Sequence, residues 1–403
     1  MITSAYALTA TERVLPRLAL DFTTASLDPR VTVTRALNTA TRINSSGFIE
    51  TVNANLPRFD YSSTSAGTIK GLLIEESRVN NLANSNNFSG GTWTPSGITQ
   101  STSSLTSPDG TTNATLFTGS AFSYIYAGGQ PNAVGTWTQS FFFSKGTITN
   151  PTIRIQQAGN GYEVTFDLNA KTAGAAVIVG TGGSISAMTG VVSEFNATWL
   201  RCSVTFTTSS SVNNMFLYVG NGTLHIYGAQ LEAGAFATSY IPTTTTSLTR
   251  NSDAVSMTGT NFSDWYNSSQ GTFVTQASTF ALTTNCAYAV DAGSVANTIR
   301  ARSSTSTMFF DTRSGGAGTA TINSGTISAN TIYKHAGTYD ASGFIAAMNG
   351  SAAVTAAAGT LPVGVNRLLV GSDANGNYLN GYARYVAFYP QKFTSAETVA
   401  FSK

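Results

Sequence analysis

The sequence predicts an all-β protein: two jelly-roll or β-sandwich domains preceded by an irregular N-terminal segment. Three observations carry this. Apolar residues recur with a period of two, Gly, Asn and Ser clusters punctuate the runs, and 3.6-residue periodicity is missing outside a closing turn at Ser395–Phe401. Residues 162–168 place Val164, Phe166 and Leu168 on one face, and residues 200–206 do the same with Leu200, Cys202, Val204 and Phe206. Met215, Leu217 and Val219 oppose Phe216 and Tyr218; Leu224 and Ile226 oppose His225 and Tyr227; Val386 and Phe388 oppose Tyr385 and Tyr389. Hairpin turns are expected at Gly128-Gly129, Gly182-Gly183, Asn221-Gly222 and Asn349-Gly350, because tight turns need positive φ.

Composition bounds the function. Of 403 residues only 10% are charged, with Ser, Thr and Asn in their place, while 41% are hydrophobic, so a core is affordable and its surface is neutral and hydroxyl-rich. The net charge of +2 comes from Lys and Arg scattered singly, which argues against nucleic acid as a partner. Cys202 and Cys286 are the only cysteines, and His225 and His335 stand alone, so no disulfide framework or zinc motif is present. The start MITSAYALTATERVLP lacks the basic and apolar regions of a signal peptide, and no apolar run reaches the length of a membrane helix. The expectation is a chain made in the cytosol, without membrane insertion.

Three regions are expected. Residues 1–80 are less regular and richer in charge, with Arg13, Arg17, Arg30, Arg35, Arg42 and Arg58; they pack on something else. Residues 81–246 hold a first strand series that ends at Ile241-Pro242 and the threonines 243–246, and residues 247–403 hold a second. No short repeat points to a solenoid or propeller.

Residues 18–88, LALDFTTASLDPRVTVTRALNTATRINSSGFIETVNANLPRFDY followed by GLLIEESRVNNLANSNNF, resemble a segment of tailed-phage tail, fibre and head-spike-fibre proteins. The signature is Asp21-Phe22, Arg35, Gly47, Pro57-Arg58-Phe59-Asp60 and Gly71-Leu72-Leu73-Ile74-Glu75; it departs at Val79-Asn80-Asn81-Leu82, where the family more often has Thr-Asn-Leu-Leu. TWTQSFFFSK (136–145), TWLRCSVTFT (198–207) and IYGAQLEAGAFATSYIPT (226–243) resemble strands of a carbohydrate-binding-module-like jelly roll. GTFVTQA, HAGTYDASGFIAAMNG, LLVGSDANGNYLNGYARYVAFYP and TSAETVAF look like a laminin-G or concanavalin-A-type sandwich. The resemblance implies a virion protein whose N-terminal segment attaches to the particle.

A sugar-binding jelly roll presents aromatic rings to C–H faces and amides to hydroxyls. The candidates are Trp93, Tyr124, Tyr126 and Trp137, with Gln139 and Gln156 as polar partners. The face that Trp137 shares with Gln139 and Phe141 serves either core or groove, whereas Tyr124 and Tyr126 share a face of a strand ending in Gly128-Gly129. Asp373, Asn375 and Asn377 suit calcium by their oxygen ligands, or simply form a turn at Asn375-Gly376. Otherwise no cofactor is expected. No catalytic residue is assigned: Glu75-Glu76 point to opposite faces if extended, Glu163 and Asp167 are far apart for a pair, GxSxG is absent, and neither histidine has an evident Asp.

The expected function is therefore a non-enzymatic virion appendage, a tail fibre or spike. Its partners would be other virion proteins, copies of itself in a homotrimer, and host-surface polysaccharide or lipopolysaccharide. A head decoration, head-spike or tail protein using lectin-like modules for assembly is the alternative, and a polysaccharide depolymerase ranks below both.

Overall fold

Alternation becomes register in the computed structural model, which describes residues 15–210 and 213–403. Arg13 and the opening stretch read for a leader lie outside the described residues. Residues 35–70 with 77–252 form one compact unit, called central here; residues up to Thr34, 71–76 and 253–403 form the other, called C-terminal. The expected segment 1–80 is thus shared between the two units, and the expected junction at 246/247 lies shortly before the chain's last crossing at 252/253.

The central unit is built on β1 (Trp93–Thr102), β2 (Thr115–Gly128), β3 (Gly135–Lys145), β4 (Thr152–Gln157), β5 (Asn160–Asp167), β6 (Ile185–Glu194), β7 (Leu200–Thr208), β8 (Asn214–Tyr218) and β9 (Gly222–Ala233). Their antiparallel order is β5–β4–β8–β2–β9–β3–β7–β6, with β1 also alongside β2. The sheet folds over so that β5 packs on β6. Gly190 permits this approach, since a Cβ there would lie 2.6 Å from Val164 Cγ1 and 2.8 Å from the Ala173 Cβ. Between the layers lie Phe117, Ile125, Phe141, Phe143, Ile153, Ile155, Val164, Phe166, Cys202, Val204, Phe206, Met215 and Leu217, all within a percent or so of complete burial. Burial pushes the Cys202 thiol well up, so it is a small core hydrophobe.

Buried polar side chains clasp the edges of this sandwich. Asn80, fully buried, donates from Nδ2 to the carbonyls of Ala229 (3.1 Å) and Ile241 (2.9 Å). Its Oδ1 accepts from the amides of Leu82 (3.2 Å) and Leu231 (3.1 Å). Beside it, Gln230 donates to Glu232 Oε1 at 2.6 Å and accepts from the Ile241 amide at 2.7 Å. Glu232 also accepts from Thr238 N and Oγ1 at 2.9 and 2.7 Å. The Gln and Glu of the 226–243 motif are thus internal hydrogen-bonding groups. Asn80→Ala is expected to lower unfolding free energy in denaturant by about 3 kcal/mol or more, because four buried backbone groups lose their partner; a loss under about 1 kcal/mol would contradict the clasp.

The C-terminal unit packs two sheets. Its strands include β10 (Gln270–Thr279), β11 (Asn285–Asp291), β12 (Thr298–Ser304), β13 (Thr307–Ser314), β14 (Ala317–Thr326), β15 (Tyr333–Asp340), β16 (Gly343–Met348), β17 (Arg367–Val370) and β18 (Gly381–Tyr389). One sheet runs β16–β15–β10–β18. Both ends of β18 are paired by the N-terminal segment, Leu18–Asp21 at one and residues 72–74 at the other. The other sheet runs Thr32–Thr34, Ala254–Thr258, β17, β11, β12, β13, β14. Phe273, Tyr288 and Phe388 meet between the sheets, with Phe273 4.7 Å from Tyr288 and 4.9 Å from Phe388. Asn349 and Gly350 both have positive φ, as the expected turn requires, whereas at Asn221-Gly222 only the glycine does. The closing turn is a helix, Ser395–Phe401, started by a capping box between Thr394 and Glu397.

His335 is fully buried on β15, with Nε2 3.1 Å from Ser324 Oγ. Burial pushes its imidazole down from 6.5 to about 3, so it is folded in as the neutral form. The unfolded chain takes up this proton near pH 6.5 and the folded chain only near 3. Stability present above pH 6.5 is therefore lost as pH falls towards 3. Between pH 7 and 4 this group should cost about 3 kcal/mol. Denaturant titrations at the two pH values should show a smaller drop for His335→Gln; an equal drop would contradict the assignment.

Candidate functional site

Strand register decides which candidate side chains can meet a ligand. Trp93 is buried, its ring 5.3 Å from Phe88 and 6.1 Å from Phe141, with Nε1 donating to the Asn84 carbonyl at 3.1 Å. Trp137 is buried, Nε1 donating to the Ala133 carbonyl at 3.0 Å. Gln139 lies between Trp137 and Phe141 on the inward face of β3 and is 1% exposed. These three candidates are corrected to core: the face of β3 that carries Trp137, Gln139 and Phe141 is turned to the sandwich interior, and Trp93 at the start of β1 packs on Phe141 from within.

Tyr124, Tyr126 and Gln156 are half-buried instead, and the structure brings them to one outward face. On β2, Ile125 and Ala127 point into the core, which turns Tyr124 and Tyr126 outward. Cross-strand pairing sets Tyr126 beside Phe216 and Tyr124 beside Tyr218 of β8; β4 adds Arg154 beside Phe216 and Gln156 beside Asn214. Four rings meet as a result. Phe216 stacks on Tyr126 at 5.2 Å and on Tyr218 at 5.9 Å, with interplanar angles of 21° and 20°. Tyr124 tilts against Phe216 at 5.5 Å and Tyr218 at 5.4 Å. Such pairs hold one another rigid beyond their buried area.

Electrostatics closes one end of this ridge. The Arg154 guanidinium sits 4.5 Å over the Tyr218 ring, donates to its hydroxyl at 3.1 Å, and pairs with Glu163, Nε to Oε2 at 2.7 Å. Burial raises the Tyr218 phenol and the Arg154 charge offsets part of that rise, so the hydroxyl stays protonated. The Arg154 charge is satisfied within the face. The Tyr124 and Tyr126 hydroxyls and the Gln156 amide make no hydrogen bond with described residues and remain as donors and acceptors for a ligand. The face is thus a neutral aromatic ridge with a polar rim, suited to sugar C–H faces and hydroxyls. Phe216, Tyr218 and Arg154 were not singled out from the sequence. The alternation of residues 215–219 already turned Phe216 and Tyr218 away from the core, but only register places them beside Tyr124 and Tyr126.

Among the described residues no group of three His, Cys, Asp or Glu could hold a metal. Asp373 is buried and its carboxylate is occupied. Oδ2 accepts from Arg300 at 2.6 Å and Oδ1 from the amides of Asn375 and Asn377 at 3.0 and 3.2 Å. Asn377 Nδ2 adds bonds to both oxygens. These residues do not fit calcium: the only carboxylate of the trio is neutralised by an arginine. The carboxylates weighed for hydrolysis are likewise engaged, Glu163 by Arg154 and Asp167 by the amides of Asn169 and Ala170 at 2.9 Å. Ser103 Oγ lies 2.8 Å from His225 Nδ1 and Ser324 near His335, but both serines are buried.

No protein-family model matches the chain, and no curated protein does. Among solved structures, it is similar to the CBM40 domain of the Ruminococcus gnavus IT-sialidase bound to α2,3 sialyllactose, at 14% identity and TM-score 0.30, over 34% of this chain and 83% of that one. It is similar to mouse laminin α1 LG4-5 at 9% identity and TM-score 0.24, over 66% and 86%. The NanB sialidase of Streptococcus pneumoniae gives 10% and 0.32, over 36% of this chain and 26% of that one. These neighbours have jelly-roll and lectin-like folds. At such TM-scores they say nothing of function, and the all-β sandwich assignment rests on the strand order above. Calcium and then chelator should leave the thermal midpoint unmoved; a rise of several degrees with calcium would show that Asp373 exchanges Arg300 for the ion.

Proposed function

We propose that the chain is a non-enzymatic glycan-binding protein whose contact face is the ridge of Tyr124, Tyr126 and Tyr218, packed around the buried Phe216, with Gln156 at its rim. The single observation behind this is the ridge itself: three tyrosine rings packed around Phe216 on an outward sheet face, with the Tyr124 and Tyr126 hydroxyls making no hydrogen bond to described residues. Core demand does not explain it, because the same strands already bury Ile125, Ala127, Met215 and Leu217 on the other side. The resemblance of residues 18–88 to tailed-phage structural proteins supports a virion setting, as tail fibre or spike. In that setting the ligand is host-surface polysaccharide or lipopolysaccharide and the copies form a homotrimer. Weak single sites then act together, since linked copies raise effective concentration.

Burial of Trp93, Trp137 and Gln139 favours a second reading, a head-decoration or tail protein that uses its sandwiches for assembly. Immunogold labelling of particles separates the settings, tail tip or fibre for adhesion and head for decoration. The binding claim is tested by affinity electrophoresis of the full chain in gels of neutral polysaccharides and lipopolysaccharide. A glycan that retards the wild type should retard Tyr126→Ala about 10-fold more weakly, the worth of one stacked ring, at an unchanged melting temperature. Equal retardation would remove the ridge from the site, and no retardation by any glycan would leave the assembly reading.

A further inference from the structure

The face of β12, β13 and β14 that is turned from the core in the C-terminal unit carries one more positive charge than its ion pairs consume. Ile299, Ala301, Met308, Phe310 and Ile322 point into the core, so Arg300, Arg302, Phe309, Asp311, Arg313, Thr321 and Asn323 point away from it. Three arginines converge on one oxygen, Asp311 Oδ2. Arg300 approaches through Nε and Nη2 at 2.9 and 2.7 Å, Arg302 through Nε at 3.0 Å, and Arg313 through Nε at 3.6 Å. Burial raises the Asp311 carboxyl, but its bonds to Arg300 and the charges of Arg300 and Arg302 outweigh this and hold it below the usual range. Asp373 takes the far side of Arg300 at 2.6 Å. Three guanidinium groups therefore share two carboxylates, leaving one positive charge in excess.

That excess is presented outward. Arg300 is 5% exposed in its side chain, against 18% for Arg302 and 35% for Arg313. Beyond Asp311 and the Phe309 ring, Arg302 has no partner among the described residues, and its Nη groups are free. Arg313 Nε is buried without an acceptor within hydrogen-bond distance. Phe309 lies 5.0 Å beneath the Arg302 guanidinium and fixes its plane. Register places Phe309 between Arg302 and Asn323, and Asp311 between Arg300 and Thr321. Exposed Asn323 and Thr321 thus border the two forks.

We infer that this face is a second binding site, which takes the carboxylate of an acidic polysaccharide of the uronic-acid type. It rests on the glycan-binding reading only in taking the anion as part of a sugar. One surplus charge suits one monoanionic group, and a planar guanidinium fork matches a carboxylate in a bidentate way. Asn323 Nδ2 is left to donate, and the Thr321 hydroxyl, whose hydrogen goes to Asp311 Oδ1 at 2.9 Å, is left to accept, which suits the neighbouring sugar hydroxyls.

Affinity electrophoresis of the full chain in polygalacturonate and in its fully methyl-esterified form tests this, since the backbone is the same and only the charge differs. Retardation by polygalacturonate and not by the ester is expected. R302Q/R313Q should lose at least about 10-fold of it. Arg300 and Thr321 still answer Asp311 in the double variant, and R313Q alone, at the most exposed position, should lose part of the retardation if the double variant fails to fold. Equal retardation of wild type and R302Q/R313Q by polygalacturonate, or retardation of the wild type by the ester as strong as by polygalacturonate, would overturn the site. Retardation by dextran sulfate as strong as that by polygalacturonate would overturn the carboxylate assignment. Failure here leaves the Tyr126 test on neutral glycans untouched.

Discussion

Backbone groups buried at the edges of the central sandwich must be answered by side chains, and the central unit depends on this. Charged side chains are buried there too, among them Arg35, Arg58, Arg250 and Glu232, and Asn80 shows how a neutral side chain serves the same need. One amide answers four backbone groups from three separate stretches, at Leu82, Ala229, Leu231 and Ile241. Each unanswered group would cost on the order of 1–3 kcal/mol. The Gln230–Glu232–Thr238 cluster extends the device along the same edge. On β3 and β9 the outward face buries a second cluster, with Phe142 and Tyr227 against Trp199 and Tyr240, whereas on β2, β4 and β8 it is half-exposed at Tyr124, Tyr126, Gln156 and Tyr218.

What lies on that face follows from the same economy. A sheet buries alternate residues, and the other half of each strand is free to be polar. On β2 and β8 it is aromatic instead, and the rings satisfy one another by stacking while keeping their hydroxyls outward. Arg154 covers one end of the stack and is itself neutralised by Glu163, so the ridge offers shape and hydrogen bonding rather than charge. The C-terminal unit does the reverse: one carboxylate is surrounded by more guanidinium than it can neutralise. The two units therefore differ in chemistry although both are antiparallel β-structures.

The fold was legible because period-two alternation is a local property. The strands over 162–168, 200–206 and 215–219 and the turn at Asn349-Gly350 all fall where the sequence places them. The candidate site was legible only in part. Tyr124 and Tyr126 share a strand, so their common face could be read; Phe216, Tyr218 and Arg154 reach them through pairings between distant stretches, which no local pattern encodes. Trp93, Trp137 and Gln139 misled for the opposite reason: an aromatic or amide at an alternating position looks the same whether its face turns inward or outward. Asp373 reads as a calcium ligand until Arg300, far away in sequence, is seen to occupy it.

The central claim is that sugars meet the outward ridge and not the buried tryptophans. The most direct measurement is a titration of the full chain, with labelled tyrosine and tryptophan rings, by an oligosaccharide of the glycan that binds, followed by NMR. Saturable shifts of the Tyr124 and Tyr126 ring signals, with those of Trp93 and Trp137 unmoved, are the predicted result. Shifts confined to other residues while Tyr124 and Tyr126 stay in place would contradict it.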